Sequence, residues 1–142
     1  MNANSRVDMA AGVVLCSLET ARSAGVPEEK FVHLHAATEA NDSNFLSTRH
    51  EFHRSPAMRI AGGRALELAG RSIGAIDHVD LYSCFPSAVQ IAATELGIPE
   101  GRPLTVTGGL TFGGGPMNSY TLHAIARMAE VVRADRGSTG LV

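Results

Sequence analysis

Apolar positions along this chain follow two periods, and the period changes at glycines and prolines. Met58, Ala61, Ala65, Leu66 and Ala69 recur at helical spacing, with Ser55-Pro56 ahead as N-cap and first-turn proline and Gly70 behind as a stop. Val89, Ala92, Ala93 and Leu96 repeat the plan between Pro86 and Gly97. Leu122, Ile125, Met128, Ala129 and Val132 align on a further helix over 117–134, and Ser17 caps a short one ended by Gly25 and Pro27. Shorter apolar runs predict strands over 8–16 (buried on both faces), 31–37, 76–84 and 104–107. Leu141-Val142 reads as the start of another, an edge begun without a partner, as a truncated sequence would leave it. The order β-α-β-loop-α-β-α-β-α-(β) predicts an α/β layered fold with a largely parallel sheet. Gly62-Gly63, inside the first long helix, costs about 1 kcal/mol per glycine relative to Ala, for which close packing against another backbone would be one compensation.

Composition narrows the partners. The 142 residues suit one domain with its own core, and 44% hydrophobic against 18% charged residues argues for a folded chain. A formal charge of -2, with both signs interspersed, gives no electrostatic footprint for nucleic acid. Cys16 and Cys84 are too few for a disulfide scaffold. No leader pattern and no apolar run of membrane-spanning length appear, so a cytoplasmic location is expected.

Candidate chemistry gathers at two corners. Asp80 to Pro86 takes a strand into a helix, and Thr105 to Pro116 does so again through a glycine-rich turn. Alternation along the strand puts Tyr82 and Cys84 on one face and Ser83 on the other. Cys84 stands where free N–H groups and the helix dipole favour an anion. Gly113, Gly114 and Gly115 let backbone N–H groups approach a carbonyl, or else serve a turn that needs positive φ. Asn118 and Tyr120 follow in the next turn, within reach of the same crevice. Residues 38–54 form a long polar connection carrying His50 and His53, read as a surface or substrate-facing loop; no metal-ligand spacing is present, and no metal is expected. His33 and His35 share the outer face of their strand.

In this order the chain resembles the carboxyl-terminal part of a thiolase-superfamily protein, in the branch of sterol-carrier-type thiolases and acetyl-CoA acetyltransferase-like proteins. Asn4 to Leu15 resembles the strand that closes that family's amino-terminal domain. Ile76 to Phe85 resembles the strand ending in Asn-Glu-Ala-Phe, or His-Asp-Cys-Phe in the sterol-carrier branch. Gly108 to Pro116 is similar to the Gly-Gly-x-x-x-x-Gly-His-Pro turn. The resemblance implies a division into 1–27, the end of an amino-terminal-domain-like segment, and 28–142, a carboxyl-terminal-domain-like segment ending before its last strands. It also implies departures. Tyr82 takes the place of the water-holding Asn or His, Ser83 that of the acid, and Gly115 that of the general-base histidine. The family's two cysteine positions lie upstream of this segment and beyond Val142.

The resemblance therefore implies a thiolase-like acyltransferase of lipid metabolism, acting on an acyl-CoA or sterol-CoA-like thioester as substrate, without a resident cofactor. Tyr82, Cys84, Asn118 and Tyr120 are its candidate catalytic residues; Gly113 to Gly115, Ser83 and His50 are its candidate binding residues. Two alternatives stand beside it: an aldol-type C–C lyase using Tyr82 and Tyr120, and a non-catalytic scaffold subunit. A homo-oligomer or a partner subunit is expected, because unpaired apolar strand edges invite pairing. The isolated chain is expected to be inactive as a thiolase.

Overall fold

The fold is that of a computed structural model describing residues 2–142. Helices form where local chemistry can end them. Helix α1 (Leu18–Ser23) starts at Ser17, whose Oγ accepts the Thr20 N–H at 3.1 Å. Helix α2 (Pro56–Ala69) starts at Ser55, which accepts the Met58 N–H, and stops at Gly70, which adopts φ 63° at no Cβ cost. Helix α3 (Pro86–Leu96) ends the same way at Gly97. Helix α4 (Gly109–Phe112) is a single turn inside the glycine-rich corner, and helix α5 (Tyr120–Ala134) follows. Helix α5 begins three residues later than the apolar pattern predicts, because Pro116–Ser119 forms a turn with Met117 at φ 51°.

The strands depart most from expectation. One parallel ladder is present among the described residues: β1 (His78–Val79) beside β2 (Gly140–Leu141), with His78 opposite Gly140 and Val79 opposite Leu141. The expected strand over 8–16 is absent, and instead of being buried its Val14 and Leu15 are 90% and 79% exposed. Residues 31–37 and 104–107 likewise form no strand, and 76–84 contributes two strand residues. A strand exists only where a second backbone accepts and donates beside it; for 8–16 and 31–37 none of the described residues does. The carboxyl end reverses the expectation of an unpaired edge. Asp77 accepts the Thr139 N–H and hydroxyl, which holds the turn at Gly137 (φ 88°) and lays Leu141 against Val79.

Ile76, Val79 and Leu81 form the core with Ala92 and Ile98, flanked by Leu66, Leu96, Leu104 and Leu141. Each fully buried aliphatic side chain contributes roughly 1.5–3 kcal/mol. A second cluster joins Leu110, Tyr120 and Ala124 to Ala3 and Cys84. Helices α2 and α3 pack together, but not by the close backbone approach that would compensate the glycine pair. A Cβ on Gly62 would overlap the Leu96 side chain, not a backbone, whereas Gly63 has nothing within 4 Å. The connection over 38–54 is tied down by acids. Asp42 accepts from Ser55 Oγ at 2.5 Å and the Ala57 N–H at 3.0 Å. Glu95 accepts from Arg54 Nε at 2.5 Å and Nη2 at 3.1 Å, and from the Ser55 N–H at 3.0 Å. The Arg54 hydrogen bonds, ahead of the Ser55 N–H, hold the Glu95 carboxyl at a pKa of about 2.

Candidate active site

The two corners lie side by side. Leu81 N–H donates to Leu104 O at 2.9 Å, and Leu110 N–H donates to Ser83 Oγ at 2.9 Å, so the end of the central segment is stitched to the glycine corner. Past β1 the period-two alternation persists without ladder bonds. Asp80, Tyr82 and Cys84 turn toward the start of α5: Asp80 bonds Tyr120, Tyr82 stacks on it, and Cys84 packs in its cluster. Leu81 and Ser83 turn the other way. With Pro86, Val89, Leu104 and Gly109 they line a cavity of about 180 Å³ between the strand end, α3 and α4.

Asp80 is the group that sequence reasoning passed over. It is 2% exposed, and no cation reaches it among the described residues; hydroxyls and amides surround it instead. Its Oδ2 accepts from Thr105 Oγ1 (2.8 Å), Thr107 Oγ1 (2.9 Å), and the N–H groups of Val106 (2.8 Å) and Thr107 (2.9 Å). Its Oδ1 accepts from the Tyr120 hydroxyl at 2.5 Å. A buried carboxylate is tolerated only when hydrogen bonds replace its lost water, and five donors do so here. The signal available in the sequence was an acid within an otherwise apolar run, followed some 25 residues later by Thr-x-Thr ahead of Gly-Gly.

Tyr82 and Tyr120 are in contact, their ring centroids 5.6 Å apart at 73°, an edge-to-face arrangement. Their hydroxyls differ. Tyr120 is 2% exposed, and burial, reinforced by the Asp80 hydrogen bond, raises its phenol pKa above the ordinary value near 10. Tyr82 is 46% exposed and its hydroxyl makes no hydrogen bond among the described residues. Cys84 is half-buried against Leu110, Tyr120 and Ala124. Asn118 is exposed in the turn before α5.

The glycine turn is more enclosed than a bare donor loop. Gly113 N–H donates to Gly109 O at 2.7 Å and Gly115 N–H to Asn4 O at 2.9 Å, which leaves Gly114 as the one of the three whose N–H has no partner among the described residues. A Cβ on Gly114 (φ 74°) would sit 2.7 Å from Met9 Sδ, and one on Gly115 would sit 2.8 Å from Leu110 Cδ2. Residues 4–9 thus close over the turn, and a Cβ at Gly114 or Gly115 would have to displace the Met9 or Leu110 side chain. His50 is exposed and is not among the residues brought to the corners, whereas Ser83 lines the cavity.

No family model matches the chain. A search of curated proteins finds an acetyl-CoA acetyltransferase from Methanothermobacter thermautotrophicus, 30% identical over 94% of this chain. Among solved structures, a monomeric SCP2-thiolase-like protein type 1 from Mycobacterium smegmatis superposes over 88% of this chain with a TM-score of 0.82 at 38% identity. The chain spans 38% of the length of the first and 28% of the second.

Proposed function

Because the chain belongs to the thiolase superfamily, we propose that it carries one wall of an acyl-CoA thioester site, working within a larger thiolase-like acyltransferase. One observation carries the reading: Tyr82, with an accessible and unpartnered hydroxyl, is held at the junction of the two corners by the ring of Tyr120. In this reading the Tyr82 phenol donates to the oxygen on which negative charge gathers when a thioester carbonyl is attacked or enolised. Cys84 packs beside Tyr120; Asn118, exposed in the turn before α5, contacts the thioester's CoA side. Ser83 and its cavity lie on the opposite face of the segment from Tyr82, with the Ser83 hydroxyl holding the Leu110 N–H, and take no part in this reading. The thioester is a substrate, so no resident cofactor is invoked.

The test uses the two tyrosines. With ring-labelled tyrosine, acetoacetyl-CoA is expected to shift the Tyr82 resonances saturably, and free CoA to shift them less. Tyr82 signals that stay fixed up to millimolar thioester would overturn the reading. A non-catalytic scaffold would then be favoured by a specific observation, the internal commitment of the Gly113 and Gly115 N–H groups.

A further inference from the structure

Asp80 is buried as deeply as Tyr120, each 2% exposed, and it is an acid. Holding down the 105–107 loop explains four of its five hydrogen bonds, all on Oδ2. The fifth uses the other oxygen, points to α5, and belongs to Tyr120. The proton inventory fixes the direction of that bond. The Thr107 hydroxyl has one proton and is 2.9 Å from Asp80 Oδ2 and 2.7 Å from the Tyr120 oxygen. The carboxylate is the stronger acceptor, and the shortest contact is the one from Tyr120 at 2.5 Å. The Tyr120 proton therefore lies on the line to Asp80. A buried phenol so committed is neither a mobile acid nor a free base, which removes Tyr120 from proton transfer and leaves its ring to do something else. It packs edge-to-face with the one accessible phenol of the site.

We propose that Asp80 and Tyr120 are positioning residues for Tyr82: the carboxylate anchors the Tyr120 ring through its hydroxyl, and that ring fixes the orientation of the Tyr82 ring at the junction of the corners. The proposal rests on the reading that Tyr82 meets the thioester. A half-exposed tyrosine at a segment end has two free side-chain torsions, and an acid or oxyanion donor misplaced by 1 Å loses on the order of a hundredfold in rate. The anchor reaches Tyr82 without touching it. Asp80 and Tyr82 belong to one segment, two residues apart: the 105–107 loop holds the carboxylate, α5 carries the Tyr120 ring, and the ring contact returns the constraint to Tyr82.

The chain has two tyrosines and no tryptophan, so ring-labelled tyrosine gives two sets of signals, assigned with Tyr82→Phe and Tyr120→Phe. In Asp80→Asn, with far-UV circular dichroism unchanged, the Tyr82 ring signals are expected to move toward those of a freely rotating surface tyrosine. Tyr120→Phe is expected to do the same, although it keeps the ring and all its apolar contacts; a packing role alone predicts no change in that variant. Tyr82 signals unmoved in a folded Asp80→Asn or in Tyr120→Phe would overturn the proposal, and Tyr120→Phe decides it if Asp80→Asn fails to fold. These measurements contain no thioester, so they succeed or fail independently of the acetoacetyl-CoA titration above.

Discussion

Removing one oxygen from the buried network is the most direct perturbation of this site. Tyr120→Phe keeps the ring and deletes the hydroxyl that donates to Asp80 Oδ1 and meets Thr107 Oγ1. Oδ1 then has no donor among the described residues, and an unsatisfied buried acceptor costs about 1–3 kcal/mol, with the charged case at the upper end. For a chain of this size that is a loss of roughly 3–12 °C in Tm. The pH dependence separates this from ordinary loss of packing. The folded-state pKa of Tyr120 is raised, by burial first and the Asp80 hydrogen bond second. Its stabilising contribution is thus complete below the unfolded value near 10 and is lost as pH rises above that value through the folded pKa. The variant lacks this loss. Thermal melts of both proteins from pH 7 to 11, followed by circular dichroism, are expected to show a gap that is constant to about pH 10 and narrows beyond it. A gap that stays constant to pH 11, or no gap at pH 7, would refute the account of Asp80 and Tyr120 as a hydrogen-bonded pair.

Three more outcomes follow from particular contacts. Gly63→Ala is expected to stabilise the chain by about 0.5–1 kcal/mol, since helix propensity improves and nothing lies within 4 Å; Gly62→Ala meets Leu96, and overpacking of about 1–3 kcal/mol cancels or reverses the same gain. Denaturant melts of the two neighbours check the difference, and equal effects would contradict the α2–α3 contact. Glu95 has a depressed pKa, so its contribution is present above about 4.5 and lost as pH falls toward about 2. Acid titration of Glu95→Gln should accordingly show a shallower fall in Tm across that window than the unsubstituted chain. The 142-residue chain is expected to release no CoA from acetoacetyl-CoA above background in a thiol assay, because Gly115 offers no side chain to move a proton; chain-dependent release would refute this.

The amino-acid sequence by itself determined α1, α2, α3 and the body of α5, though neither α4 nor the start of α5. Ser55-Pro56 to Gly70 and Pro86 to Gly97 begin and end where their caps stand, because a helix satisfies its backbone within a few residues and its ends are written in neighbouring side chains. The alternation that puts Tyr82 and Cys84 on one face was equally local, and it holds even where no ladder forms. The motifs around Cys84 and Gly108–Pro116 carried the family as well, since they need only residue types at fixed spacing. Strands were another matter. Residues 8–16 and 31–37 have strand composition without a partner among the described residues, and Leu141 has one that lies 62 residues back at Val79. Whether a backbone is paired depends on what lies beside it, and no local pattern contains that. The same holds for Asp80. Its donors come from 25 to 40 positions away, and only their convergence turns an acid in an apolar run into an anchor. Tertiary structure also divided the two tyrosines, which the sequence offers as equals, because burying one hydroxyl against a carboxylate leaves the other as the phenol that solvent can reach.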